Sequence, residues 1–226
     1  MKPKTKKIYE KLTKKGVAIR HACEVGVYMP ETSNVLDFAF DGVRTTLVEP
    51  DPQSIAAIEK YFENMPNIEL HKVAIYNRNG KLKLSKAESS TFATELESSP
   101  ALVNDKYKKT EENTFEADCV KFSEIDDDTI DLLSIDTEGC EWYVLGDIIS
   151  RPKVISVETH GKYYVNPFIE DIEKWMLINY YKVWYKDQSD TVYVKIDLFD
   201  LTLEERIDLL LTEAKIKLKR LKRYVK

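Results

Sequence analysis

Ile130-Asp131-Leu132-Leu133-Ser134-Ile135-Asp136-Thr137-Glu138-Gly139-Cys140-Glu141-Trp142-Tyr143-Val144-Leu145 is the stretch that decides how the chain folds. Its first half is a short, almost uninterrupted apolar run, the pattern of a strand covered on both faces in a parallel sheet. Asp136 and Glu138 arrive where the run stops, and Gly139 allows a tight turn into Trp142, Val144 and Leu145. The pattern is strand, acidic corner, helix. In an open α/β sheet, ligands bind outside the carboxyl ends of the strands, so chemistry is expected at this corner.

Outward from this motif, strand and helix patterns alternate. Residues 4–15 read as a basic surface helix ending near Gly16, residues 21–27 as a strand closing on a glycine turn, and residues 34–40 as a helix capped by Thr32 or Ser33. Residues 45–49 give a second strand, stopped by Pro50-Asp51-Pro52, and residues 53–64 a helix with Ile55, Ile58 and Phe62 on one face. A third strand is predicted over residues 68–75, with Asn79-Gly80 signalling a hairpin into residues 81–84. Residues 87–113 are the least regular stretch, and a loop of that length is usually functional or mobile. Later come a strand over residues 153–158, a helix over 169–179 and two β runs, 180–186 and 191–196. The predicted fold is α/β, a mainly parallel Rossmann-like sheet with an antiparallel strand pair at the carboxyl end and a helix at each terminus.

Composition bounds the function. The chain has 226 residues, 43% of them hydrophobic and 11% aromatic, enough for a substantial core and against disorder. A net charge of -5 makes nucleic acid an unlikely main partner. Cys23, Cys119 and Cys140 stand in no metal-ligand spacing, and their odd number excludes a full disulfide framework, which points to reduced thiols and a cytoplasmic protein. No apolar signal core follows the basic amino terminus, and no run is long enough to span a membrane. Residues 1–199 read as one domain and residues 200–226 as a basic amphipathic helix, its apolar stripe (Leu203, Ile207, Leu210, Leu211, Ala214, Leu218, Leu221) buried on that domain or on a second subunit in a homodimer.

Carboxylates mark three strand ends: Glu24 with Gly26, Glu49, and Asp136 with Glu138; a fourth end presents Glu158 and His160. Parallel strands would place all of them on one edge. Glu49 follows Gly26 by 23 residues, the spacing at which a carboxylate meets the ribose hydroxyls of a nucleoside cofactor. A dinucleotide needs a glycine-rich turn for its pyrophosphate, but residues 24–30 hold one glycine and an acidic residue that would repel phosphate. Acidic residues suit a cofactor with no phosphate, a sulfonium and an ammonium group, which describes S-adenosylmethionine.

The stretch from Ile130 to Glu141 resembles the signature of the FkbM family of S-adenosylmethionine-dependent methyltransferases, roughly D-L-L-K-I-D-x-E-G-x-E. The resemblance extends to Val48-Glu49-Pro50-Asp51-Pro52, to Val73-Ala74-Ile75 before Asn79-Gly80, and to Val157-Glu158, covering about residues 23–195. It departs at the first motif, usually D-x-G-A-x-x-G, where Glu24, Val27 and Pro30 stand. The resemblance implies a class I methyltransferase fold, a cofactor site drawn from Glu24, Gly26, Glu49, Pro50, Ala74, Ile75, Asp136 and Glu138, and O-methylation of a sugar, glycan or related small-molecule hydroxyl.

Such a hydroxyl is a poor nucleophile until its proton leaves, so a base or a divalent cation is expected near the methyl group. His160 is the candidate base, with Asp136 beside it; Asp136 and Glu158 could also hold a metal, and their oxygens would favour Mg²⁺ or Ca²⁺ over zinc. Ser89, Ser90, Thr91, Glu158, Tyr163 and Tyr164 are candidates for the acceptor pocket. Plainer roles compete: Asp136 and Glu138 would also serve as helix-start carboxylates. Two other functions fit the same residues. One is RNA methylation guided by the seven basic residues between Lys215 and Lys226, and the other is a catalytically idle binding module, for which Pro30 is the best argument.

Overall fold

The structure, a computed structural model, describes residues 4–87, 90–104, 106–108 and 110–224, the last five by backbone alone. In chain order it contains helix α1 (Lys7–Lys15), strand β1 (His21–Val25), α2 (Leu36–Phe40), β2 (Arg44–Val48), α3 (Pro52–Tyr61), β3 (Ile68–His71), β4 (Ala74–Ile75), β5 (Gly80–Ala87) and β6 (Ser90–Ala93). There follow α4 (Pro100–Val103), β7 (Thr114–Val120), β8 (Leu132–Ile135), α5 (Glu141–Leu145), β9 (Val154–Glu158), α6 (Ile169–Ile178), β10 (Tyr181–Lys186), β11 (Asp190–Lys195) and α7 (Leu203–Tyr224).

The main sheet has seven strands in the order β10-β11-β9-β8-β1-β2-β3. The strands from β9 to β3 run parallel to their neighbours, and β11 is antiparallel to both β9 and β10. This is the class I methyltransferase fold. Its register decides where chemistry can occur. Val25 lies opposite Val48 and Ile135, and Ile135 opposite Val157. The next residues, Gly26, Glu49, Asp136 and Glu158, therefore leave the sheet side by side along one edge.

Both faces of the sheet are covered, as the apolar runs require. On one side Leu12, Leu36, Leu47, Ile58 and Trp184 pack together; on the other Val25, Val48, Ile135, Val144 and Met176 do so. α3 starts as Pro52 and Asp51 dictate: the Asp51 carboxylate accepts from Gln53 N and Ser54 N, and Pro52 needs no donor there. α2 differs from expectation, because Thr32 belongs to a short 3₁₀ turn (Pro30–Thr32) and the cap position is Val35, without a side-chain cap. All three cysteines are buried free thiols. No helix among the described residues is long and apolar enough to cross a membrane.

Four more expectations need correction. The predicted third strand is split, with β3 in the main sheet and β4 in a second sheet ordered β4-β7-β5-β6. Asn79-Gly80 does not close a β4–β5 hairpin: β7 lies between them, and Asn79 instead ties down the loop before Phe122, accepting from Lys121 N at 3.1 Å. The irregular stretch carries β6 and α4. Finally, the apolar stripe of α7, apart from Leu221, which lies outside the side chains described, is not buried on its own domain. Leu203 is 74% exposed, and Ile207, Leu210, Leu211 and Leu218 are exposed too. The helix is held from its other face, where Glu205 accepts from Lys15 Nζ and Trp184 Nε1, both at 2.8 Å. A capping box of Thr202 and Glu205 starts it.

Candidate active site

A cavity of about 400 Å³ opens at the carboxyl edge of β1, β2 and β8. Glu24, Gly26, Glu49, Pro50, Ala74, Ile75, Asp136 and Glu138, the eight residues expected around the cofactor, all line it. Tyr28, Asn34, Val73, Thr137 and Cys140 are among the others on that side, and Leu82, Leu84, Thr91 and Ala93 of β5 and β6 form a wall from the second sheet. Every charged side chain lining the cavity among the described residues is a carboxylate.

Gly26 sits at the closest approach of two strands. Its φ is +84°, and a Cβ there would lie 1.7 Å from the carbonyl oxygen of Asp136. The loop that leaves it is held by Glu49, whose Oε2 accepts from Val27 N at 3.0 Å and Tyr28 N at 2.8 Å while its Oε1 accepts from Asp51 N at 2.8 Å. Burial nevertheless pushes the Glu49 carboxyl above the usual range, against those three hydrogen bonds.

Glu24 is buried beneath the same loop. Ser33 Oγ donates to its Oε2, and Asn34 N donates to its Oε1 at 2.8 Å. Burial raises its pKa to about 7, opposed by these bonds and by Lys6. With the folded-state pKa above the ordinary 4.5, ionisation is what the fold disfavours. Glu24 therefore contributes most below about pH 4.5, and that contribution is lost as pH rises through about 7. In Glu24→Gln the amide oxygen can accept from Asn34 N and no charge is buried. Denaturant unfolding should show the variant gaining about 3 kcal/mol on wild type between pH 4.5 and pH 8. A difference that stays constant with pH would show that Glu24 does not titrate there.

The acidic corner is more crowded than its sequence suggests. Asp136 is exposed to the cavity, yet protein encloses it on its other sides. That enclosure, with Glu138, Asp190 and Glu141 nearby, holds its carboxyl well above the ordinary range. Glu158, 7% exposed, is shifted in the same direction by burial and by Asp136. Oxygens of Asp136, Glu141 and Glu158 lie within 4.8 Å of one another. Glu141 had no assigned role from sequence. Its Oε1 accepts from Thr137 N at 2.9 Å and Gly139 N at 3.0 Å, and its Oε2 from Asn166 Nδ2 at 2.5 Å, so it fixes the corner from within. The signal was its place in the motif, one turn after the strand end, where a carboxylate reaches back to loose N–H groups. Glu138 adopts φ +54°, a left-handed conformation rather than a first helical turn.

His160 stands apart. It is buried and does not line the cavity; its Nε2 meets the Asp187 carbonyl at 3.1 Å and its Nδ1 the Thr159 hydroxyl at 2.9 Å. A carbonyl can only accept, so Nε2 carries the proton and Nδ1 accepts from Thr159. Both nitrogens are committed to the loop, which removes the geometric basis for His160 as the base. Ser90 and Tyr163 also lie off the cavity, Tyr164 is buried beside the acidic corner, and Ser89 falls outside the described residues.

Residues 24–183 match the family model described as the methyltransferase FkbM domain. The chain belongs to the FkbM methyltransferase family. No curated protein sequence matches this FkbM chain. Similar solved structures include the methyltransferase domain of bacterial CtHen1 (11% identity, TM-score 0.43, covering 83% of this chain and 94% of that one). Monomeric WbdD is another (10% identity, TM-score 0.43, covering 84% of this chain and 39% of that one).

Proposed function

We propose that this FkbM-family chain is an S-adenosylmethionine-dependent O-methyltransferase acting on a hydroxyl of a sugar, glycan or related small molecule. The observation that carries the reading is the cavity, which gathers Glu24, Glu49, Asp136 and Glu138 around a single-glycine turn. That donor set suits a cationic nucleoside without phosphate. Glu49 would face the ribose, the Glu24–Gly26 turn the amino-acid part, and Val73, Ala74 and Ile75 the base.

Bound there, S-adenosylmethionine would supply an already activated methyl group. The protein's work is to orient an acceptor and take up its proton. Asp136 is the carboxylate that reaches the cavity from the centre of the sheet edge, and its raised pKa makes it the stronger base once ionised. Calorimetry with S-adenosylmethionine tests the first half of this reading: saturable binding in roughly the 1 μM–1 mM range of enzyme ligands is expected. Labelled-methyl transfer to a panel of sugar hydroxyls tests the second. No binding would leave a methyltransferase fold serving as a binding or assembly module.

A further inference from the structure

We propose that Asp136, Glu141 and Glu158 bind a divalent cation of the hard, oxygen-seeking kind (Mg²⁺, Mn²⁺ or Ca²⁺) beside the cavity. One oxygen from each lies within 4.8 Å of the others. Ligands at about 2.1–2.5 Å around one ion are separated by about 3 to 5 Å, so the three oxygens already fit a single coordination sphere. They come from rigid places: the ends of β8 and β9 and the first residue of α5. Asn166 Nδ2 locks two of them together, donating to Glu141 Oε2 and, at 3.1 Å, to the Glu158 carbonyl. Glu141 Oε2 keeps a second lone pair for the ion.

The largest charge effects on Asp136 and Glu158 come from other carboxylates, Glu138, Glu141, Asp190 and Glu24 among them. Among the described residues no lysine or arginine forms a salt bridge with Asp136, Glu141 or Glu158. The buried polar atoms without a hydrogen-bond partner among the described residues include Glu158 Oε2 and the hydroxyl of Tyr164. Tyr164 is 0% exposed, belongs to another loop, and places its hydroxyl by the Gly139 turn, whose N–H groups Glu141 holds, close enough to feel the charges of Glu141, Glu158 and Glu138. Buried polar atoms are nearly always satisfied, so a cation with its water accounts for both. The site would deepen the O-methylation reading, and rests on it only for its purpose: a cation at Asp136 would meet an acceptor hydroxyl on the cavity side and ease loss of its proton.

Mn²⁺ titration of the full chain, followed by electron paramagnetic resonance and calorimetry without S-adenosylmethionine, tests the site. Expected is one saturable ion per chain, displaced by Mg²⁺ or Ca²⁺, with affinity at least about tenfold weaker in Asp136→Asn and in Glu158→Gln. Absence of saturable binding to the wild type, which needs no variant to fold, would overturn the proposal. So would folded variants that bind as tightly as wild type. S-adenosylmethionine calorimetry in chelator is read separately, so either reading can fail alone.

The carboxyl-terminal helix carries a second, independent inference: we infer that α7 pairs antiparallel with α7 of a second copy of this chain. The exposed Leu203, Ile207, Leu210, Leu211 and Leu218 recur along one side of the helix, while Glu205, Leu209, Thr212 and Ile216 turn toward the body. The net charge of the same helix changes sign along its length: Glu204, Glu205 and Asp208 outweigh Arg206 in the first part, and Lys215, Lys217 and Lys219 outweigh Glu213 in the next. A two-fold antiparallel pair sets the acidic half of each copy against the basic half of the other, whereas a parallel pair sets like against like. Sedimentation velocity over a concentration series should show a dimer that Leu210→Glu, a change at an exposed position, converts to monomer without altering the melting curve. A wild type that stays monomeric, or a variant that still dimerises, would overturn the pairing. A monomer that binds anionic vesicles would assign the stripe to a membrane surface instead.

Discussion

Replacing Asp136 by Asn should lower kcat about 10²–10⁴-fold, the contribution of a well-placed general base, while affinity for S-adenosylmethionine changes only a few-fold. The amide keeps the size of the side chain and one acceptor oxygen, so the cavity keeps its shape. What disappears is the ability to receive a proton at the one carboxylate that combines exposure to the cavity with a place among Glu138, Glu141 and Glu158. Steady-state kinetics with an identified acceptor, alongside cofactor calorimetry, separate the two effects. Equal losses in kcat and affinity would make Asp136 a cofactor ligand and nothing more, and unchanged turnover would remove it from the chemistry.

Gly26→Ala should be the most damaging single methyl group that the chain can acquire. At φ +84° the added Cβ is strained before any contact is counted, by about 1–2 kcal/mol. It would also lie 1.7 Å from the Asp136 carbonyl oxygen, with the carbonyl carbon at 2.7 Å. Backbone on both sides leaves no flexible side chain to yield. β1 and β8 would have to part, stretching the 2.9 Å bond from Asp136 N to the Val25 carbonyl and shifting the acidic corner. A destabilisation of about 3–5 kcal/mol is expected from urea unfolding, with loss of measurable cofactor binding. Gly16 supplies the control, because it has φ +67° but no atom within 4 Å of its imagined Cβ. Gly16→Ala should show the conformational cost alone, about 1 kcal/mol. Similar effects at the two positions would refute the close approach at Gly26.

Much of the site was legible because its positions follow from period and polarity. An apolar run ending in Asp136, another ending in Glu49 and a strand closing on Gly26 all belong to one parallel sheet, and register carries them to one edge. What was not legible depended on partners distant in sequence. The Asn79-Gly80 pair is a sound turn, but nothing local shows that β7 will enter beside β5 from more than thirty residues away. β4 pairs through only two residues, too short for alternation to register. His160 sits one position past Thr159 in a loop whose hydrogen bonds come from Asp187 and Ser189 on the next hairpin, and no spacing rule foretells that. For α7 the periodicity was correct but could not say which of the two expected partners the stripe faces; it turns away from its own domain because ion pairs from Lys15 and Lys186 and a hydrogen bond from Trp184 Nε1 draw the polar face inward.

The cavity is bounded by two sheets of separate origin in the chain. Carboxylates come from the seven-stranded sheet, and the facing side, from β5 and β6, offers Leu82, Leu84, Thr91 and Ala93 among the described residues. Such a division lets one boundary be rewritten while the other is kept. Swaps of comparable bulk at these four positions leave Gly26, Glu49 and Asp136 untouched in their strand-end register, which makes β5 and β6 the natural ground for altering molecular preference by directed variation.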